Sequence, residues 1–196
     1  MIRSITQVIV LTALAGCSPE QPKAPSAWTP VPETALTESQ AGQKATALAA
    51  RDALFERLMA RLTAVVQADG PAAAIAVCQN EASGIAETVS REKGVRIGRT
   101  SDKRRNPNNL PPDWAVEPVS ARPTEPTFFT HADGRFTALL PIRLKAQCLT
   151  CHGPRESIPV PVREALATRY PQDQAVGYAE GDLRGWFWVE VPRTEN

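Results

Sequence analysis

The chain has 196 residues, a length that fits one compact domain with terminal extensions. Its 22 Lys and Arg residues are balanced by 21 Asp and Glu residues, which gives a formal net charge of +1. Because proteins that bind nucleic acid usually carry a basic excess, this balance argues against nucleic acid as a partner.

The first residues have the pattern of an export signal. Arg3 supplies a positive charge, and the apolar run at 5–16 is too short to span a bilayer as a mature helix. The letters LAGC that end at Cys17 resemble the lipobox of bacterial lipoproteins, whose cysteine becomes the lipidated first mature residue. The alternative is an ordinary signal peptide with an incidental cysteine. We predict a signal peptide at 1–16 and an exported protein that is anchored through Cys17 and faces the periplasm. By the same resemblance, Ser18 favours the outer membrane.

The segment at 17–36 contains five prolines and is predicted to be a tether between the lipid and the domain at 37–196. Prolines at this spacing favour extended, polyproline-like backbone, which does not form a packed core. Trp28 is the one aromatic residue of the segment, and it is expected to contact either the membrane surface or the domain.

Two helices are predicted after the tether. The sequence TESQ at 37–40 is a capping box, and apolar residues at helical spacing continue from there to about Asp69. An Asp-Gly-Pro sequence then breaks the helix, and Pro71 suits the first turn of a second one. That second helix is predicted to run to about Lys93, with Gly94 as its C-terminal stop.

The rest of the chain has the pattern of strands and loops. A short strand is predicted at 95–100, followed by a long, polar, proline-rich loop at 101–126. The stretch at 127–144 places an Asp-Gly turn between two β-rich runs, which predicts a hairpin. A helix near 161–169 and a last strand at 185–191 complete the pattern. Two N-terminal helices followed by an antiparallel sheet define an α+β fold.

The sharpest chemical signal is the sequence CLTCH at 148–152. C-x-x-C-H is the attachment pattern of a c-type haem, in which Cys148 and Cys151 would form thioethers with the haem and His152 would bind the iron. A thioredoxin-like redox pair would need the motif at the start of a helix in a βαβ unit. A zinc site would need more ligands than the remaining cysteine and histidine readily provide. One covalent haem c is therefore the predicted cofactor.

The second axial ligand of the iron needs a separate argument, because it decides what the haem can do. Cys78 is left over once the other three cysteines are assigned, and its helical phase turns it toward the core. A buried cysteine can also be an inert small hydrophobe. Met59, on the apolar stripe of the first helix, is an equal candidate, and an open site is the third possibility. His131 beside the hairpin turn is expected to face solvent, and Lys103 and Lys145 are remote candidates.

Three stretches together resemble the single-haem c-type domain family with a PAS-like fold, which occurs as exported proteins and as bacterial sensor domains. They are the helix with Cys78, GRTSDKRRNPNNLPPDW at 98–114, and CLTCHG followed by YPQDQAVGYAEGDLRG at 170–185. The resemblance spans about 40–192. It departs from the family at an extra proline in 110–113 and in having a shorter insertion after CHG than the family pattern, and neither departure touches a ligand candidate. The resemblance implies a PAS-like sheet, with His152 as the proximal ligand and Cys78, rather than Met59, as the distal one.

A basic cluster suggests how the cofactor would be oriented. Arg99, Lys103 and Arg105 are candidates for contacts with the haem propionates, because guanidinium groups bind carboxylates bidentately. The alternative is a solvated basic loop.

The predicted ligands point to electron transfer. A thiolate ligand stabilises Fe(III), so a low reduction potential is expected. With both axial positions filled and no catalytic constellation visible, we predict no enzymatic activity. The predicted function is that of a periplasmic, lipid-anchored mono-haem c-type cytochrome that exchanges electrons with unidentified redox partner proteins. The alternative is a haem-based redox or gas sensor, which would act through a partner protein because the chain ends at Asn196 without an output domain.

Overall fold

The computed structural model describes residues 27–193, so the predicted signal peptide and Cys17 lie outside the described residues. The helices are α1 (Glu38–Asp69), α2 (Pro71–Asn80), α3 (Ala82–Lys93), α4 (Val116–Ser120), α5 (Leu149–His152) and α6 (Val160–Arg169). The strands are β1 (Trp28–Pro30), β2 (Arg96–Thr100), β3 (Thr127–His131), β4 (Phe136–Arg143) and β5 (Leu183–Val191). They form one antiparallel sheet in the order β1-β3-β4-β5-β2. The α+β prediction is therefore confirmed. None of the described helices combines the length and the apolar character needed to cross a bilayer.

The first helix begins as its sequence predicts. Thr37 is the N-cap: its hydroxyl accepts a hydrogen bond from the Gln40 amide at 3.3 Å, and the Gln40 side chain accepts one from the Thr37 amide at 3.0 Å. Gly70 ends the helix with a φ of 82°, a backbone conformation that favours glycine. Pro71 then opens α2 at a position where its missing N–H costs no intrahelical hydrogen bond.

The prediction of one continuous helix from Pro71 to Lys93 is wrong, because the chain breaks at Glu81. The carboxylate of Glu81 forms an ion pair with Arg61 of α1 at 2.7 Å. The break lets the two halves pack differently: Ala82 and Val89 of α3 lie in the core above the sheet, whereas Ile75 of α2 lies in a separate cluster with α6. The predicted stop is confirmed, since Gly94 adopts the left-handed conformation after α3.

The sheet has an apolar side chain layer on each face. On one face Phe136, Ala138 and Leu140 of β4 pack against α1 and α3. On the other face Leu139 and Trp186 pack beneath Trp114 and Val119. The predicted strands and hairpin are confirmed. The predicted loop at 101–126 contains the short helix α4, which helps to cover this second face.

Trp28 belongs to the sheet, although its segment was predicted to be a tether. Residues Trp28–Pro30 form the edge strand β1, in which Trp28 pairs with His131 of β3. The Trp28 ring lies 6.1 Å from the ring of Trp114 and 4.9 Å from that of His131. Pro30 is compatible with this strand because an edge strand leaves one row of amides unpaired. Of the two expected contacts for Trp28, the structure shows the one with the domain.

Candidate functional site

A cavity of about 540 Å³ lies between α1, α2, the sheet and the segment that carries the cysteine motif. This volume falls within the range of small-molecule and cofactor sites. Its apolar wall comes from residues of α1 at steps of three and four, namely Phe55, Leu58, Met59, Leu62 and Val66. Phe55 and Val66 are 38% and 41% exposed, so α1 presents more apolar surface here than the described residues cover.

The second helix presents one face to the same cavity. Pro71, Ala74, Ile75 and Cys78 line it, again at steps of three and four. Burial raises the pKa of the Cys78 thiol, and the positive charges of Arg99, Arg105 and Arg184 act against that rise. The predicted inward orientation of Cys78 is confirmed. Met59 lines the cavity as well, so both predicted distal ligands are brought to one place.

Both cysteines of the motif line the cavity from a single helical turn. Cys148 ends a 3-10 turn at Ala146–Cys148, and Cys151 lies three residues further on, in α5. This spacing places the two sulfur atoms on the same side of the turn. Burial raises the pKa of Cys151 to about 11. The described residues hold no group of three or more His, Cys, Asp or Glu side chains placed to bind a metal ion.

The imidazole of His152 is oriented by the backbone. Its Nδ1 lies 2.8 Å from the carbonyl oxygen of Ala175. Because a carbonyl can only accept, Nδ1 carries the proton and Nε2 keeps a free lone pair. Burial, followed by the charges of Arg105 and Arg184, holds the pKa of His152 well below its ordinary value. The ring is therefore neutral at pH 7, which is the form that binds metals.

Arg105 stabilises the backbone of the cysteine motif through hydrogen bonds and an ion pair. Its Nη2 donates to the carbonyl oxygens of Cys151 at 2.6 Å and of Ala175 at 3.2 Å. Its Nε pairs with Asp173 at 3.1 Å, and both side chains are only 7% exposed. The Asp173 carboxylate also accepts from the amide of Ala175 at 2.8 Å. Arg105 borders the cavity, but these bonds occupy most of its guanidinium, so its principal role in the structure is to hold the backbone around His152.

Four other arginines line the cavity, namely Arg99, Arg104, Arg143 and Arg184, and of these Arg143 pairs with Glu125 at 3.9 Å. Burial lowers the pKa of Arg99 and Arg184, and neither forms an ion pair within the described residues. No Asp or Glu belongs to the described cavity lining. A buried cation without a carboxylate partner is costly, so this pair fits a cofactor that brings its own carboxylates. Sequence reasoning missed Arg184, whose only signal was its place in the stretch at 170–185.

The remaining candidates lie elsewhere or at the rim. Lys103 does not line the cavity; its ammonium lies 5.2 Å from the ring centroid of Tyr178. His131 is also outside, 2.8 Å from Asp133, whereas Lys145 does line the cavity. Two thiols, a neutral imidazole, an apolar wall and two guanidinium groups without a carboxylate partner together fit an iron porphyrin with carboxylate arms.

Comparisons with known proteins agree with this fold. The chain resembles the crystal structure of the cyanobacterial heme-protein Tll0287 with a TM-score of 0.53 and 21% sequence identity, over 82% of this chain and 99% of that one. No curated protein matches the sequence. A family model described as Tll0287-like matches residues 33–192, which is most of the chain. The chain therefore belongs to the Tll0287-like family.

Proposed function

We propose that this protein is a c-type haem protein that carries single electrons, with one haem bound covalently through Cys148 and Cys151. The observation that carries the proposal is the set of residues that line one apolar cavity. They include both cysteines of the motif, His152 with its Nε2 free to bind iron, and two arginines without carboxylate partners. The heme-protein in the matched crystal structure has the same fold. When bound, haem supplies one-electron chemistry between Fe(III) and Fe(II).

The axial ligands follow from the side chains that reach the cavity. His152 is the proximal ligand, because Ala175 fixes its tautomer and leaves Nε2 available. Cys78 is the distal ligand, supported by the His/Cys ligation that the resemblance implies and by its position on the cavity face of α2. Met59 is the alternative. A protein ligand on each side leaves no open iron position for substrate, which favours a carrier over an enzyme.

Arg99 and Arg184 are proposed to bind the two propionates. Both residues line the cavity, are partly buried and have no ion-pair partner among the described residues, and the Arg184 guanidinium donates one hydrogen bond to the carbonyl oxygen of Lys103 at 3.0 Å. Bidentate bonds to carboxylates would stabilise the buried charges and fix the orientation of the porphyrin. The apolar wall from α1 would exclude water from the ring.

The proposed location rests on the sequence of residues 1–17. A charged start, a short apolar run and a cysteine at the cleavage position support export and lipid anchoring at Cys17. With Ser18 after this cysteine, the haem domain is proposed to lie in the periplasm, anchored to the outer membrane. Covalent haem c is assembled outside the cytoplasmic membrane, so the two features are compatible. The partners would be other redox proteins of that compartment. We also propose that the fold is of the PAS-like type.

The test is to purify the exported protein after co-expression with a haem c maturation system. We expect haem to stay bound in 6 M guanidinium chloride at 1:1 stoichiometry and to cycle reversibly between two oxidation states. The Cys148→Ala, Cys151→Ala variant should release its haem. A wild-type product without bound haem would contradict the proposal, and carbon monoxide binding to the reduced protein would support the sensor alternative.

Removing either propionate contact should lower the reduction potential of the holoprotein. Arg99→Gln and Arg184→Gln each delete a buried positive charge that disfavours Fe(III), and each leaves a propionate unpaired. We expect a decrease of roughly 30–70 mV per variant, the scale of one charge at an intermediate dielectric constant. Arg91→Gln is the matched control, because Arg91 is exposed on α3 and lies outside the cavity. Potentiometric titration measures all three, and equal potentials in the three variants would contradict the assignment.

A further inference from the structure

Tyr170 follows α6 and is buried against α2. Its side chain is 5% exposed and packs in a cluster that contains Ile75 and Val162. Ile75 precedes Cys78 by three residues on α2, so both lie on the same face of that helix. Tyr170 therefore packs against the helix face that presents Cys78 to the cavity.

A pair of reciprocal hydrogen bonds holds the two segments together. The side-chain amide of Gln79 donates to the carbonyl oxygen of Arg169 at 3.1 Å. The guanidinium of Arg169 donates back to the Gln79 side-chain oxygen at 2.8 Å. Gln79 directly follows Cys78, and Arg169 directly precedes Tyr170. These two hydrogen bonds therefore link the residue after Cys78 to the residue before Tyr170.

The hydroxyl of Tyr170 is buried and has no hydrogen-bond partner within the described part of the chain. Leaving a buried hydroxyl unpaired is unfavourable, so such a group calls for an explanation. Burial raises the pKa of Tyr170 to about 12, and the next cause is its electrostatic interaction with Cys78. The same two groups act together on the pKa of Arg99. Cys78 lines the cavity, and Tyr170 packs against the same helix from outside the cavity lining.

We infer that Tyr170 is a positioning residue that donates a hydrogen bond from its hydroxyl to the sulfur of Cys78 when that sulfur is a thiolate ligand. The inference rests on the proposed function, since it needs Cys78 to be the distal ligand. It gives the buried hydroxyl an acceptor. It also holds the Cys78 side chain in the rotamer that faces the cavity.

This hydrogen bond has a measurable electronic consequence. A donor to a thiolate withdraws electron density from the sulfur, weakens it as a donor to iron and so favours Fe(II). Hydrogen bonds to charged groups are stronger than those between neutral groups, so losing one in Fe(III) and Fe(II) forms of different sulfur charge can change the equilibrium about tenfold, which corresponds to about 1.4 kcal/mol. Tyr170→Phe should therefore shift the Fe(II)/Fe(III) equilibrium about tenfold toward Fe(III), which lowers the potential by about 59 mV.

The experiment compares three variants of the haem-loaded protein by potentiometry and electron paramagnetic resonance. Tyr170→Phe removes only the hydroxyl and keeps the ring in its cluster. Thr137→Val is the matched control, because Thr137 also has a buried hydroxyl without a partner in the described residues, but lies in β4 away from the cavity. The third variant combines Tyr170→Phe with Cys78→Ser. We expect Tyr170→Phe to lower the potential and to change the thiolate signal, and Thr137→Val to change neither.

Two results would overturn the inference while leaving the proposed function intact. One is that the wild-type protein has a thiolate signal, but Tyr170→Phe shifts the potential no more than Thr137→Val does. The other is a tenfold effect of Tyr170→Phe that persists in the Cys78→Ser background, since the hydroxyl would then act on some other group. A wild-type protein without a thiolate signal would instead reject the distal ligand assignment, and the inference with it.

Discussion

Replacing Cys78 with serine is expected to raise the reduction potential of the holoprotein by on the order of 0.1 V, within the range over which axial ligands tune haem. It should also remove the thiolate character of the low-spin ferric spectrum. The thiolate brings a negative charge to the iron and stabilises Fe(III), and a serine hydroxyl stays protonated and binds weakly. Electron paramagnetic resonance and potentiometry on the wild type and Cys78→Ser measure both effects.

Met59 provides the control for this experiment, because it lines the same cavity as Cys78. Met59→Leu conserves volume and apolar character, so packing should be little affected. If Cys78 is the ligand, the spectrum of Met59→Leu will match that of the wild type. The assignment would be reversed if Met59→Leu changed the spectrum while Cys78→Ser left it unchanged.

The sequence predicted those parts of the fold that depend on local patterns. The capping box at Thr37, the left-handed stop at Gly94 and the Asp-Gly hairpin turn each use short-range chemistry, and each lies where it was predicted. The α1 stripe and the position of Cys78 followed from helical periodicity alone. Periodicity made Cys78 and Met59 equal candidates for the distal ligand, and only the structure places both of them with His152 in one cavity.

Long-range packing decided what the sequence did not predict. The break at Glu81 separates two helices that enter different clusters, and the Glu81 carboxylate pairs with Arg61, twenty residues earlier. The strand at Trp28 exists because β3 offers it an edge. No local pattern distinguishes a tether from an edge strand when the pairing residues lie about a hundred positions apart.

The same limit applies to the arginines around the cavity. Arg99, Lys103 and Arg105 looked alike as a basic cluster, but the structure separates their roles. Arg99 lines the cavity without a carboxylate partner, Lys103 lies over the Tyr178 ring, and Arg105 holds the backbone of the motif. Arg184, from the last strand, completes the pair that faces the cavity. Only the sheet register, which pairs β2 with β5, places Arg99 near Arg184.

Arg105→Met is expected to destabilise the protein by about 3–5 kcal/mol, the usual cost of removing one partner of a buried ion pair. Asp173 would be left as an unpaired carboxylate at 7% exposure, and the carbonyl oxygens of Cys151 and Ala175 would lose their donor. Urea unfolding of the holoprotein measures the free energy. Arg57→Met is the control, because the Arg57–Glu92 pair is exposed and its loss should matter little.

A second substitution separates loss of charge from loss of packing. Asp173→Asn in the Arg105→Met background removes the stranded charge, and its side-chain oxygen can still accept from the Ala175 amide, the contact that Asp173 now makes at 2.8 Å. The double variant should therefore regain part of the lost stability. Its reduction potential should nevertheless stay altered, because Ala175 orients His152 and Arg105 no longer binds that carbonyl.

If Arg105→Met is no more destabilised than Arg57→Met, the buried pair does not hold the motif. Recovery of both stability and potential in the double variant would mean that Arg105 acts only by neutralising Asp173, with no part in orienting the iron ligand.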